Sequence, residues 1–236
     1  YDFPGVYAVS LTVSDGNLTN KLLKTFYINV RKKGPLYIST HGSDKTGQGT
    51  AHFPFASIQK GIDLVFEGDT ILVLPGTYKE NIKFFKKKNM VVGSKFLTTG
   101  DTAYIAQTII DGGRRGNVVA FLGQIDSTTR LSGFTLTHGN GFINDSPNGG
   151  AIYCTYSDPI LDHLLITENS SYYGGGMYFE HSEPIIKNSR ITNNSASNGG
   201  ALSMDNSNPI LQNVLIDNNT ATETMVAGSA IEGHTS

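Results

Sequence analysis

A unit of 25 residues recurs three times without a gap between Gly149 and Thr220. Gly149-Gly150-Ala151-Ile152 returns as Gly174-Gly175-Gly176-Met177 and as Gly199-Gly200-Ala201-Leu202. Pro159-Ile160 returns as Pro184-Ile185 and Pro209-Ile210. Ile166-Thr167-Glu168-Asn169 returns as Ile191-Thr192-Asn193-Asn194 and Ile216-Asp217-Asn218-Asn219. No unit this short can enclose a core alone, so each must stack on its neighbours. A fixed period with short apolar runs therefore predicts a solenoid.

The rest of the chain bears on function mainly by exclusion. Among 236 residues the net charge is -2 and only 16% are charged. That leaves no field for nucleic acid and no polybasic membrane anchor. No run approaches the ~18 apolar residues of a membrane span. The single cysteine, Cys154, rules out an internal disulfide. Twenty-seven glycines with many Asn, Ser and Thr between short apolar runs read as β structure with tight turns. The chain opens on Tyr1-Asp2-Phe3-Pro4-Gly5 without a signal peptide and stops in mid-coil at Ser236, so it reads as a piece of a longer protein.

Residues 1–30 are a separate text. Val6 to Val13 alternates with period two, Ser14-Asp15-Gly16-Asn17 is turn chemistry, and Lys24 to Val30 is a returning strand. This PGVYAVSLTVSDGN…KTFYINV pattern resembles the last third of a polycystic-kidney-disease-type (PKD) domain. The resemblance implies a partial immunoglobulin-like β-sandwich, a spacer in extracellular proteins without chemistry of its own. Residues 31–35 read as a basic linker, and Lys86-Lys87-Lys88 as a solvated turn.

Residues 36–68 are expected to cap the solenoid and 69–236 to form its coils. Leu36 to Ser39 reads as a strand. Phe55, Ile58, Ile62 and Val65 have helical spacing with Ser57 as the cap, and Thr70 to Leu74 is a buried strand ended by Pro75-Gly76. The series LYISTHGSD…FPFASIQKGIDLV…GDTILVLPGTYKENI resembles the entry segment of secreted right-handed parallel β-helix proteins of the pectate-lyase-like superfamily. The GGAI…N units are similar to those of bacterial surface β-helix proteins. The expected fold is thus all-β, a single-stranded right-handed parallel β-helix with an N-terminal cap helix. The resemblance implies an extracellular or cell-surface bacterial protein. Loops are expected to bulge at 139–147 and near 222–228, where the period is broken.

Stacking places equivalent residues about 4.8 Å apart. Four rows are expected to face inward: Ile152/Met177/Leu202, Cys154/Phe179/Met204, Ile160/Ile185/Ile210 and Ile166/Ile191/Ile216. Asn169, Asn194 and Asn219 form a turn ladder, and Asn188 and Asn213 with His163 suggest a second. Cys154 reads as packing, because no histidine shares its face.

The outward rows hold the candidate chemistry. Tyr153, Tyr178 and Ser203 are expected to be exposed, with Thr155, Glu180 and Asp205 two residues on. His181, Asp158 and Glu183 follow. Tyrosine faces stack on sugar rings, and carboxylates accept hydroxyl hydrogen bonds or hold Ca²⁺. Tyr153, Tyr178, Glu180, His181 and Asp205 are the candidate polysaccharide-binding residues, and Asp158 and Glu183 the candidates for a possible Ca²⁺. No other cofactor is implied. The leading expectation is a scaffold or glycan-binding surface. The alternative is a polysaccharide lyase or glycoside hydrolase using Glu180, Asp205 and Arg190. A lyase needs a basic residue facing its carboxylates. Arg190 and Lys187 do not share a face with Glu180 and Asp205, which leans the reading away from an enzyme.

Overall fold

The structure, a computed structural model, describes residues 5–30, 34–86, 89–141, 148–222 and 230–234. Residues 31–33 of the expected 31–35 linker, Lys87 and Lys88 of the expected Lys86–Lys88 turn, and most of the loops at 139–147 and 222–228 lie outside these residues. The chain divides into two compact units, 1–34 and 35–236. The first contains an antiparallel hairpin of strands Gly5–Ser14 and Thr19–Val30. Its turn is closed by Asp15, whose Oδ1 accepts from the backbone N–H groups of Asn17 at 2.9 Å and Leu18 at 2.8 Å.

The second unit is a parallel β-helix. A six-stranded parallel sheet runs through Ile82–Phe85, Val119–Leu122, Ile152–Thr155, Met177–Glu180, Leu202–Asp205 and Ile231–His234. A three-stranded sheet joins Ser170–Tyr173, Ser195–Asn198 and Thr220–Ala221. The remaining 11-stranded sheet is two coil faces fused, because Ile185–Thr192 and Ile210–Asp217 each run through both. Within the three repeats pairing advances by 25 residues per step, as Ile152↔Met177↔Leu202 shows; the flanking steps, Val119↔Ile152 and Leu202↔Ile231, are longer.

Three of the four inward rows lie as expected. Ile152, Met177 and Leu202 are fully buried, as are Cys154, Phe179, Ile166 and Ile191; Met204 and Ile216 are partly covered. Phe84 and Phe121 extend the cysteine row and stack at 4.5 Å. The Ile160 row is a correction. Ile160 and Ile185 are half-exposed and Ile210 is 47% exposed, while Leu161 and Ile186 beside them are fully buried. In a strand, alternate side chains take opposite faces, so a pairing of two adjacent apolar residues leaves the inward one undetermined. Leu131, Val92 and Ile71 continue the Leu161 row to the cap.

Each repeat turns through four left-handed bends. Gly149, Gly174 and Gly199 have φ of 68°, 64° and 62°. Residues 156/181/206, 163/188/213 and 168/193/218 share that backbone conformation without being glycine. The second glycine of each pair answers to space instead. A Cβ on Gly150 would lie 2.0 Å from the Gly175 carbonyl oxygen, and one on Gly175 2.5 Å from that of Gly200. The Asn ladder forms as expected. Asn194 Nδ2 donates to Ile166 O, Thr192 O and Asn219 Oδ1, and its Oδ1 accepts from Asn169 N and Nδ2.

Helix α1 (Ile58–Leu64) closes the first coil, burying Ile58, Gly61 and Ile62. Ser57 is its N-cap, accepting from Lys60 N, and Glu80 accepts from the Ile58 and Gln59 N–H groups. Two short helices that the apolar pattern does not announce, α2 (Phe96–Thr99) and α3 (Ala103–Gln107), interrupt the path between Met90–Ser94 and Thr108–Asp111.

Candidate functional site

The outer face of the six-stranded sheet aligns two rows along the solenoid axis. One runs Lys83, Ala120, Tyr153, Tyr178, Ser203, Glu232; the other runs Phe85, Leu122, Thr155, Glu180, Asp205. The bend beyond the strands adds Tyr156, His181 and Asn206.

The tyrosine row is less open than expected, which is a second correction. Tyr153 is half-buried, Tyr178 only 9% exposed and Ser203 fully buried. Tyr173, arriving from the three-stranded sheet, packs its ring 6.3 Å from that of Tyr178, and the Tyr153 ring lies 6.0 Å from Tyr178. The Gly174 turn draws this segment close, since a Cβ there would come 2.0 Å from the Met177 carbonyl oxygen. Burial, together with the charges of Asp205 and Glu180, pushes the Tyr178 phenol up to about 12. Burial raises that of Tyr153 as well, helped by its hydrogen bond to Glu180.

Glu180 and Asp205 are direct neighbours in parallel register. Like charges at that spacing repel, and each carboxylate has its own donor. Tyr153 Oη donates to Glu180 Oε2 at 2.7 Å, across one coil. Asn206 Nδ2 donates to Asp205 Oδ1 at 3.1 Å. These contacts hold the two half-exposed acids in fixed positions without burying either.

Exposed aromatic surface lies at both ends of this face, Phe85 at 61% in the strand row and Tyr156 at the bend. Tyr156 is 59% exposed and its ring stacks on His181 at 4.8 Å and 16°. Their φ values are 47° and 46°. A bulky non-glycine residue in the left-handed region costs roughly 1–2 kcal/mol. Asn206, at the equivalent place one coil on, occupies the same bend with the residue type that tolerates it best.

The metal candidates face a different duty. Asp158 and Glu183 are both exposed, and Asp158 Oδ1 accepts from the Glu183 backbone N–H at 2.6 Å. One carboxylate oxygen is thus engaged in tying coil to coil. Among the described residues no group of three or more His, Cys, Asp or Glu is placed to hold an ion. Arg190 lies on the fused sheet, apart from Glu180, and forms a two-point ion pair with Asp217, Nε to Oδ1 at 3.1 Å and Nη2 to Oδ2 at 2.7 Å. Cys154 is fully buried, and burial drives its thiol well up.

A polar cluster that the sequence reading passed over sits on the outer face of the fused sheet. Asp162 is 1% exposed yet points away from the core, in register with Ser132 and Lys187. Its Oδ2 takes the Arg130 guanidinium and the Ser132 hydroxyl. Its Oδ1 takes Asn188 Nδ2 at 3.0 Å and lies 2.8 Å from His163 Nδ1. Phe96, the first residue of α2, lies over the His163 ring at 4.3 Å. Burial alone would push the Asp162 carboxyl up. The Asn188 hydrogen bond and the charge and hydrogen bond of Arg130 outweigh it and hold the carboxyl below its ordinary value. Four donors around one carboxylate make an anchor for the α2 excursion. The available signal was Arg130, a lone cation in register with Val91 and Ile160. The expected second ladder belongs here too: Asn213 donates to Asn188, which donates to Asp162 and not to His163.

No protein-family model matches the chain, and no curated protein matches it. Two solved structures match, both titled pectin methylesterase, one a mutant in complex with hexasaccharide IV and the other in complex with hexasaccharide VII. Each is 12% identical, covers 77% of this chain and 67% of its own, and superposes with a TM-score of 0.43. A likeness of that size carries nothing about the activity of this chain; its fold rests on the strand register above.

Proposed function

We propose that the β-helix is an extracellular or cell-surface module that binds a polysaccharide along the outer face of its six-stranded sheet. The observation that carries this reading is the exposed Tyr156–His181 stack, with Tyr156 held at a left-handed bend that disfavours a bulky side chain. Strained backbone under an exposed side chain points to a use for that side chain. Beside it, Tyr153, Glu180 and Asp205 offer acceptors in fixed positions, suited to sugar hydroxyls. Rows parallel to the axis suit a polymer lying along several coils. The N-terminal hairpin fits a PKD-type spacer holding this module away from its attachment.

The competing reading is cleavage of the bound polymer by Glu180 and Asp205. Incubation with uronate and neutral polysaccharides, with and without Ca²⁺, separates the two. Binding alone predicts unchanged polymer length and no unsaturated product absorbing in the ultraviolet. Shortened chains or such product, lost on Glu180→Ala with Asp205→Ala, would replace the binding reading with an enzyme.

A further inference from the structure

The bend at residues 168, 193 and 218 presents a second chemistry, on a different corner of the coil. Four described asparagines stand in the Asn-x-Ser/Thr pattern that N-glycosylation requires: Asn17, Asn169, Asn193 and Asn218. The fold sorts them sharply. Asn169 is 1% exposed, and its Nδ2 donates to Leu136 O, Thr167 O and Asn194 Oδ1. A glycan on that nitrogen would remove ladder hydrogen bonds and place a sugar in the core. Asn194 and Asn219, the other ladder residues, are followed two residues on by alanine and are not acceptors.

Asn193 is the reverse case. It is exposed, it adopts φ 57°, and its backbone carbonyl already serves the fold by accepting from Glu168 N at 3.2 Å. Its side-chain amide makes no hydrogen bond among the described residues. Ser195, the hydroxyl of the pattern, is also exposed. The tandem Asn193-Asn194 thus splits its duties, the inner amide to the ladder and the outer to solvent. Asn218 repeats the pattern one coil on, but its Nδ2 donates to Asp217 Oδ2 at 3.2 Å. It also lies about one strand spacing, ~4.8 Å, from Asn193, so a glycan on one crowds the other.

We propose that Asn193 is an N-glycan acceptor. In the transfer, the Asn193 amide nitrogen forms a bond to C1 of a sugar held on a lipid-linked pyrophosphate donor. The C1–oxygen bond to the pyrophosphate breaks, the lipid pyrophosphate leaves with the bonding pair, and one amide proton passes to a base of the transferase. The glycan would stand at the corner after Ile185–Thr192, whereas Tyr156 and His181 stand at the corner before it. Coating this corner therefore leaves the tyrosine face open, and the proposal holds whether or not that face binds polysaccharide.

Peptide mapping of the full chain isolated from its own cells tests the assignment. The expected result is a glycan mass on the peptide carrying Asn193, conversion of Asn193 to aspartate on enzymatic release, and an unmodified Asn169. Ser195→Ala, which leaves the bend residue itself untouched, abolishes the glycan without altering the thermal transition of the deglycosylated chain. An unmodified Asn193 overturns the proposal, whether or not Asn17 is modified. A glycan on Asn169 in folded protein overturns the sorting by burial on which it rests.

Discussion

Tyr156 and Asp162 show how much a single side chain carries in this molecule. Tyr156 is held in a left-handed bend and gives the core nothing, so Tyr156→Asn should leave stability unchanged or slightly raised. In titration calorimetry the same variant should weaken polysaccharide binding about tenfold, the size of one lost stacking contact. Asp162 is the opposite, a buried carboxylate with four donors. Arg130→Met strips away its charge partner but leaves three donors in place, and should cost about 1–3 kcal/mol in denaturant unfolding. The pH dependence has a definite sign. A carboxyl held below its unfolded value, about 3.9, stabilises the fold above that pH and ceases to do so as pH falls through the folded value. Melting temperature should therefore drop in acid, and Asp162→Asn should remove that part of the slope.

At the scale of coils and bends, neighbouring residues of one type separate by role. Asn194→Ala deletes a buried amide serving five hydrogen bonds and should destabilise by about 2–4 kcal/mol. Asn193→Gly, one residue away at a bend that glycine accepts, should change stability by less than about 0.5 kcal/mol. Equilibrium unfolding of the two variants side by side checks both. The ladder, the glycine pairs and three inward rows were legible in the sequence because each repeats a residue type that only one environment explains, and the cap helix because its apolar spacing is helical and Ser57 stands at its start. The Ile160 row was not, since Ile160-Leu161 and Ile185-Ile186 offer two apolar choices for one inward place. Coverage of Tyr178 by Tyr173 was hidden for another reason. The period fixes what stacks along the axis and says nothing of how a coil's last strand leans over its next first one. The Arg130–Asp162 anchor was hidden because Arg130 and Ser132 come from a coil before the three exact repeats, so the period does not line them up with Asp162.

At the scale of the β-helix, constant rows build an apolar core from Leu36 to Leu202 and variable rows write a surface on it. The two units are compact separately, so removing residues 1–34 should leave the melting transition and the glycan affinity of 35–236 unchanged within error. A lost or lowered transition would show that the hairpin completes the solenoid. On the proposed reading the outer face of the six-stranded sheet, and no other, holds the polysaccharide. Affinity electrophoresis in gels cast with a panel of polysaccharides tests this most directly, comparing the native chain, Tyr156→Asn with Glu180→Ala, and Ile160→Ser with Ile185→Ser on the fused sheet. At least one polymer should retard the native chain and the fused-sheet variant alike, while the Tyr156/Glu180 variant runs as in an empty gel. Equal retardation of all three proteins, or of none by any polymer, would contradict it.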